Sequence, residues 1–426
     1  MADVRGLRGL YYNPARIPDV SGVISLPYDV ISPEHRQEYI KRSEYNIVRL
    51  ILPDGDDPYT SADRLAQEWI REGILIQDQE PCLYLYHQTF RTNEGEEKTR
   101  TGFLARVRLE DFDKGVVLPH EATLFAPKED RLNLLRASKI NFSAIFSLYS
   151  DPAHEVDSIL QNFTSAPPRF SVTDESGILN RVWAVRDVAA IQKVQEIMKN
   201  HWVLIADGHH RYESCLVYRD EQRKNNQDPE APFNFTLMFF SNIHHPGIAI
   251  SPYNRAVADL PSWNPQDILR KSEKYFDQER FDNRDRAIQA AKKNSTKTAF
   301  TALVRGIDGA ILFKLKAGVD LKSIYPKDTP EVVMNLDVNV LHKLFLNEIL
   351  GITDEDVKKQ TYIKYYKDLE EERRAFDSGK LQISFYLNPT RVDQVVEAAK
   401  AGLKMPQKST FFYPKIMTGF VMNKHE

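Results

Sequence analysis

Cysteine is nearly absent. Only Cys82 and Cys215 occur in 426 residues. They lie far apart and lack metal-ligand spacing, which argues against a disulfide framework and makes a reducing cytoplasm the expected location. Cys215 stands among Leu216, Val217 and Tyr218 and reads as a buried small hydrophobe, not a nucleophile. Long apolar runs are missing too. None approaches the roughly 20 residues of a membrane helix, and "MADVRGLRGL" has no signal-peptide core. No charge dominates either, with 57 Lys+Arg against 60 Asp+Glu and a net charge of −3. A general basic footprint for nucleic acid is therefore lacking, although a local basic groove stays open. P-loop, dinucleotide glycine, G-x-S-x-G and kinase Gly-rich motifs are all absent, so any nucleotide needs a less common holding device.

What is present is a soluble, globular composition, 42% hydrophobic and 27% charged. The length predicts two or three domains at roughly 100–200 residues each. The pattern is mixed α and β. "PYTSADRLAQEWIREGIL" (58–75) predicts a helix capped by Thr60 or Ser61. "CLYLYHQTF" and "TRTGFLARVRL" alternate as strands around the polar turn "RTNEGEEK" and predict a hairpin. "LNRVWAVRD", "WVLIADG", "FNFTLMFFSN" and "LQISFYLNP" read as strands, and "TKTAFTALVRG" with "GAILFKLKAG" as a second hairpin. Helices are expected at 187–200 with Asp187 capping, from 209 onward, at 337–350, and at 390–401 from a Thr390 cap to Gly402. Three segments are expected: 1–160, 161–260 and 261–426, which can also form one interleaved unit.

The stretch "LIADGHHRYESCLVY" (204–218) concentrates chemistry where a strand feeds a helix. The first N–H groups of a helix lack intrahelical partners, and with the helix dipole they attract anions. Gly208 allows a tight turn or close approach of a phosphate. Arg211 can fork onto phosphate oxygens, His209 or His210 can donate or shuttle a proton, and Asp207 can hold a magnesium ion or orient a histidine. The blander alternative is a plain Asp207 cap with surface histidines. One ion shared by His209 and His210 is disfavoured, because successive helical side chains diverge by about 100°.

Three further clusters are polar. "VVLPHEATLFAPKEDRLNLLRASKIN" (116–141) carries His120 and Glu121, an acid–base candidate, then Lys128, Asp130 and Arg131, which either bind an anion or form a solvated helix face. It lacks the second histidine of a zinc-protease helix. "MPQKSTFFYPK" (405–415) sets Lys408, Ser409 and Lys415 among aromatics, suited to a phosphorylated ligand or to a loop pinned by its rings. "SLPYDVIS" and "NIVRLILPDG" offer Asp29 and Arg49, as ligand-facing groups or as turn and rim residues.

In this order, "LPYDVIS", "NIVRLILP", "PHEATLFAPKEDRL", "IADGHHRYE" and "MPQKSTFFYPK" resemble a widespread bacterial and archaeal family long labelled a domain of unknown function (DUF1015-type). Its "DGHHR" turn is similar to that of the ParB, sulfiredoxin and free-serine-kinase superfamily. The resemblance implies a mixed α/β fold with a ParB/sulfiredoxin-like core, large insertions and a C-terminal α/β region. It implies Asp207, His209 and Arg211 at phosphate or metal, with His210 in a variable place. Asp29, Glu34 and Glu121 are candidates for an acidic catalytic residue. No cysteine falls inside the turn, which counts against sulfiredoxin chemistry, and Asn254 in "ISPYNRAV" stands where the resemblance leads one to expect histidine. Family members often neighbour serine-biosynthesis genes. The expectation is thus a cytoplasmic phosphatase or phosphotransferase acting on phosphoserine or serine, with Mg2+ and ADP or ATP as candidate cofactors. The alternative is a nucleotide-binding ParB-like switch. The expected partner is a small phosphorylated metabolite, without membrane or nucleic acid. Oligomeric state is not legible.

Overall fold

A computed structural model of the chain describes residues 1–425 apart from 93, 94, 122, 124, 295, 296, 328 and 407. The tip of the expected "RTNEGEEK" turn, at Asn93 and Glu94, lies outside the described residues, as do Ala122 and Leu124 of "PHEATLF". The fold is mixed α/β. It divides into two compact units, Met1–Ala249 with Phe412–Glu426, and Ile250–Phe411. Strands on both sides of residue 160 share one sheet in the first unit, and the chain crosses between the units twice, after Ala249 and after Phe411.

The first unit is built on a mixed nine-stranded sheet. Its path runs Val117–Leu118, Val203–Asp207, Ile145–Tyr149, Phe235–Asn242, Glu97–Arg108, Leu83–Arg91, Leu179–Val185, Phe170–Thr173, with Val4–Arg5 added to Glu97–Arg108. The strand Val203–Asp207 lies between Val117–Leu118 and Ile145–Tyr149, and Val203, Leu204 and Ile205 are fully buried, as a continuous apolar run predicts for a strand covered on both faces. Phe103, Ile145, Ile205, Met238 and Phe240 pack into one core with Tyr212 and Cys215 of the following helix. The 83–91 and 97–108 strands form the expected hairpin. The helix Pro58–Arg71 forms as expected, but its N-cap is Asp57 and not Thr60 or Ser61, because Pro58 supplies the preset φ of the first helical position. The helix expected at 187–200 is Val188–Met198, with Asp187 accepting from Ala190 N.

The C-terminal segment returns to the first unit as a strap. Thr418 bridges to Ser25, Met422 to Leu10, and Asn423–Lys424 pairs antiparallel with Ile140–Asn141. Phe412 and Phe420 of this segment are buried.

The second unit carries an antiparallel six-stranded sheet in the order Phe276–Phe281, Ala310–Leu315, Ala299–Val304, Ile383–Leu387, Asn254–Val257, Ile363–Tyr366. Phe345 packs on Phe385 and Phe313 with ring centroids 4.9 and 5.1 Å apart, edge-on geometry that favours aromatic pairs. The helix expected at 390–401 is Val392–Lys400, capped by Arg391, while Thr390 Oγ1 donates to the Ser409 carbonyl.

Candidate functional site

The site begins with a bulge. Ile205 pairs with Ser147, but the next pair is Asp207 with Phe146, so Ala206 is an extra residue on its strand. A bulge re-aims the residue that follows it. Asp207 leaves the sheet at the start of the helix His209–Arg223, whose N-cap is Gly208 at φ +99°. The plain-cap alternative is not what forms, since Gly208 has no side-chain cap bond and the Asp207 carboxylate is engaged elsewhere.

Asp207 is held by two buried cations. Arg211 Nη2 donates to Oδ2 at 2.7 Å, and Lys415 Nζ pairs with Oδ1. Burial works to raise the carboxyl's pKa, but Lys415 and Arg211, with His209 adding, overcome it and hold it well below the usual carboxylate range. Arg211 Nη1 donates to the Ala144 carbonyl, and its buried Nε has no acceptor. A side chain at position 208 would meet the Arg211 guanidinium at 2.9 Å. Glycine therefore makes room here for the arginine that folds back over the turn. Gly208→Ala is expected to cost about 2 kcal/mol or more, from left-handed backbone strain and displacement of Arg211. Chemical denaturation measures this, and an unchanged midpoint would refute it.

His120 and His209 meet beside the turn. The His120 backbone N–H donates to His209 Nε2 at 3.3 Å, which puts the proton of a neutral His209 on Nδ1. The two rings stack edge-on with centroids 4.7 Å apart. His120 Nδ1 lies 2.7 Å from the Ile205 carbonyl and donates to it. Burial pushes His120 down to about 4, against that bond and the Asp207 charge, so its ring is neutral at pH 7. As described, it is an acceptor and not an acid. Glu121 and His210 are half-buried beside it on the chain and on the helix.

The remaining candidates separate. Arg131 Nε donates to Asp130 at 2.8 Å, Nη1 to the Ile51 carbonyl at 2.7 Å, and its guanidinium lies 4.2 Å from the Tyr28 ring centre. It shares with Tyr28 and Arg211 a cavity of about 50 Å³, room for about one or two water molecules. Lys128 faces Glu213 at 3.6 Å, and its carbonyl accepts from Ser214 Oγ. Arg49 Nη2 donates to the Ile40 carbonyl at 3.1 Å, bracing a turn, and Asp29 is exposed. Lys408 and Ser409 lie in the second unit, where the Lys408 carbonyl accepts from Arg255 and Ser409 Oγ donates to the Pro406 carbonyl. Cys215 is buried with its thiol pushed up to about 11, as expected of a packing residue.

One cation went unnoticed in the sequence. Arg100 is fully buried, its guanidinium 4.4 Å from the Phe146 ring centre, and Nη2 donates to Gln88 Oε1 and the Pro414 carbonyl. Its Nε and Nη1 have no acceptor. Burial pushes it down to about 9 despite the Tyr86 and Asp207 charges.

Asp207 does not fit as a magnesium ligand in this arrangement, because each oxygen already meets a cation. Among the described residues no group of three or more His, Cys, Asp or Glu side chains could hold a metal ion. No helix there is long and apolar enough to cross a membrane.

Solved structures similar to this chain include a mutant of free serine kinase in complex with AMP, at 13% identity and TM-score 0.36, covering 73% of this chain and 91% of that one. A conserved hypothetical protein from Pyrococcus furiosus matches at 14% identity and TM-score 0.34, covering 73% and 94%. SbnI with a C-terminal truncation, from Staphylococcus aureus, matches at 9% identity and TM-score 0.36, covering 75% and 86%. No curated protein matches. Residues 4–339 match the family described as "Protein of unknown function (DUF1015)", and the chain belongs to that family.

Proposed function

We propose that the chain binds the phosphoryl group of a small phosphorylated metabolite at the Asp207–Arg211 turn and transfers it. The observation that carries the reading is a surplus of buried positive charge. Arg211, Lys415 and Arg100 are each about nine-tenths buried or more. Asp207 is the carboxylate shared by the first two, and no second carboxylate among the described residues pairs with Arg100 or Arg211. Burying unpaired charge is expensive, and a phosphoryl anion supplies the missing negative charge. It also suits the helix-start N–H groups and the planar Arg211 fork.

The approach is the Gly208–His210 edge, where both residues are partly exposed. The 50 Å³ cavity beside Arg211 is far too small for a nucleotide. Arg211 and Lys415 would hold the phosphoryl oxygens as charge spreads over them, and neutral His120 would accept a proton or hydrogen bond. Phosphoserine is the substrate that the family resemblance suggests. Its serine O–P bond would break, the new P–O bond would form to water or to the terminal phosphate oxygen of ADP, and the serine oxygen would leave as the alcohol, its proton coming from the attacking water or, with ADP, from solvent. No step is assigned to Mg2+.

The test is incubation of the full chain with phosphoserine, with and without ADP and Mg2+, reading phosphate and ATP. Release of either is expected, with Arg211→Met slower by about a hundredfold or more. No release, together with no binding of inorganic phosphate in calorimetry, would overturn the proposal.

A further inference from the structure

Three neighbouring strands of the first unit carry a row of polar side chains, of which the reading above uses only the charge of Arg100. Asn180 pairs with Gln88, and Gln88 with Arg100, across Leu179–Val185, Leu83–Arg91 and Glu97–Arg108. All three side chains are fully buried. Such positions in a sheet ordinarily hold apolar groups, and buried polar groups persist where they have partners.

Their partners are mutually consistent. Gln88 Nε2 donates to Asn180 Oδ1 and to the Lys415 carbonyl, both at 3.0 Å. Gln88 Oε1 accepts from Arg100, which also donates to the Pro414 carbonyl. Asn180 Oδ1 accepts as well from the Tyr86 hydroxyl at 2.7 Å, and Asn180 Nδ2 donates to the Ile178 carbonyl at 2.9 Å. Reversing the Gln88 amide would set its NH2 against the Arg100 donor and its oxygen against two acceptors, so its orientation is fixed. The outcome is a grip on two successive carbonyls of the C-terminal strap. The second belongs to Lys415, whose ammonium reaches Asp207. Phe146, under the Arg100 guanidinium, is the register partner of Asp207, so grip and turn share one patch of sheet.

We propose that Gln88 and Arg100 are positioning residues that fix the Lys415 backbone and so deliver its ammonium to the Asp207 turn. The functional consequence rests on the anion-site reading above, whereas the placement of Lys415 can be tested without it. A lysine has a long flexible stem, and a point charge is useful in a site only if its backbone is held. Pinning the carbonyl of the residue itself and that of its predecessor removes the freedom nearest the stem.

The experiment compares the full chain with Gln88→Met, Lys415→Met and the double variant. One readout is acetylation of Lys415 by acetic anhydride, followed by peptide mass spectrometry against exposed Lys193. The other is affinity for inorganic phosphate by calorimetry. Gln88→Met is expected to speed Lys415 acetylation about tenfold and weaken phosphate about tenfold, and to add less than about twofold to the phosphate loss in the Lys415→Met background. If Gln88→Met does not fold, Gln88→Glu is read the same way, since it keeps the acceptor for Arg100 and drops the donor to Lys415. Unchanged Lys415 acetylation in a folded variant would overturn the proposal, as would an equal loss of phosphate affinity in both backgrounds. Should the wild-type chain bind no phosphate, the anion site falls, and the acetylation arm alone decides the positioning role.

Discussion

At pH 9 the Glu372→Gln variant is expected to resist unfolding better than the wild-type chain by several kcal/mol, while at pH 4.5 the two match closely. Glu372 lies on the helix Leu369–Asp377 of the second unit and is fully buried. Its carboxyl faces the Ser384 and Tyr386 hydroxyls of the strand Ile383–Leu387. Burial pushes its pKa from 4.5 to about 8, with Ser384, Arg284 and Tyr386 pulling weakly the other way. The folded state thus prefers the neutral acid. Below pH 4.5 both folded and unfolded chains hold the proton, and the contribution is intact. Between 4.5 and 8 the unfolded chain releases it first, and stability falls by about 1.4 kcal/mol per pH unit. Above 8 the loss levels off near roughly 5 kcal/mol. Half-buried Asp337, which accepts from Asn388 Nδ2 at 3.1 Å and is pushed up to about 7, adds a loss of the same sign at lower pH. Urea denaturation across pH 4.5–9, read by hydrogen exchange of the Ile383–Leu387 amides, measures the effect. Equal pH slopes in the two proteins would refute it.

The pH-sensitive glutamate had no sequence signal, because "LEEER" presents several acids on a helix and only packing decides which one turns inward. The Asp207–Arg211 turn was legible for the opposite reason. A strand, a glycine and the side chains that follow it are contiguous, and local geometry brings Asp207 and Arg211 together at an i, i+4 spacing. Lys415 was legible as chemistry but not as a partner. It shares "MPQKSTFFYPK" with Lys408 and Ser409, yet the chain passes from the second unit into the first between Phe411 and Phe412. Gln88 and Arg100 were hidden by strand alternation. Period-two patterning tells which residues share a face, not which face will be covered. Tyr84, Tyr86, Gln88 and Phe90 form one such face, and all are buried. The signal that could have found the pair is a lone glutamine on the otherwise aromatic Tyr84, Tyr86 and Phe90 face, set opposite an arginine across the hairpin.

Replacing Asp207 tests the electrostatic core of the proposed site most directly. Asp207→Asn is expected to lower stability by about 3–5 kcal/mol at pH 7, because it removes the buried carboxylate charge that Lys415 and Arg211 share. The sign with pH follows from the depressed carboxyl. Its contribution is present above the ordinary value of 3.8 and is lost as pH falls toward its lower folded value. The wild-type chain therefore carries an acid-side loss of stability at this position that the variant lacks. Phosphate distinguishes a site from a simple ion pair. An anion that enters the variant takes over the role of the missing carboxylate, and at a hundred times its dissociation constant it returns about 2.7 kcal/mol. In the wild-type chain the same anion must share Arg211 and Lys415 with Asp207, so the gain there is smaller. Thermal unfolding of both proteins in rising inorganic phosphate, against chloride at matched ionic strength, reads the difference. Equal stabilisation of the two, or none in the variant, would mean that the cations serve only to hold Asp207 and that no anion belongs beside them.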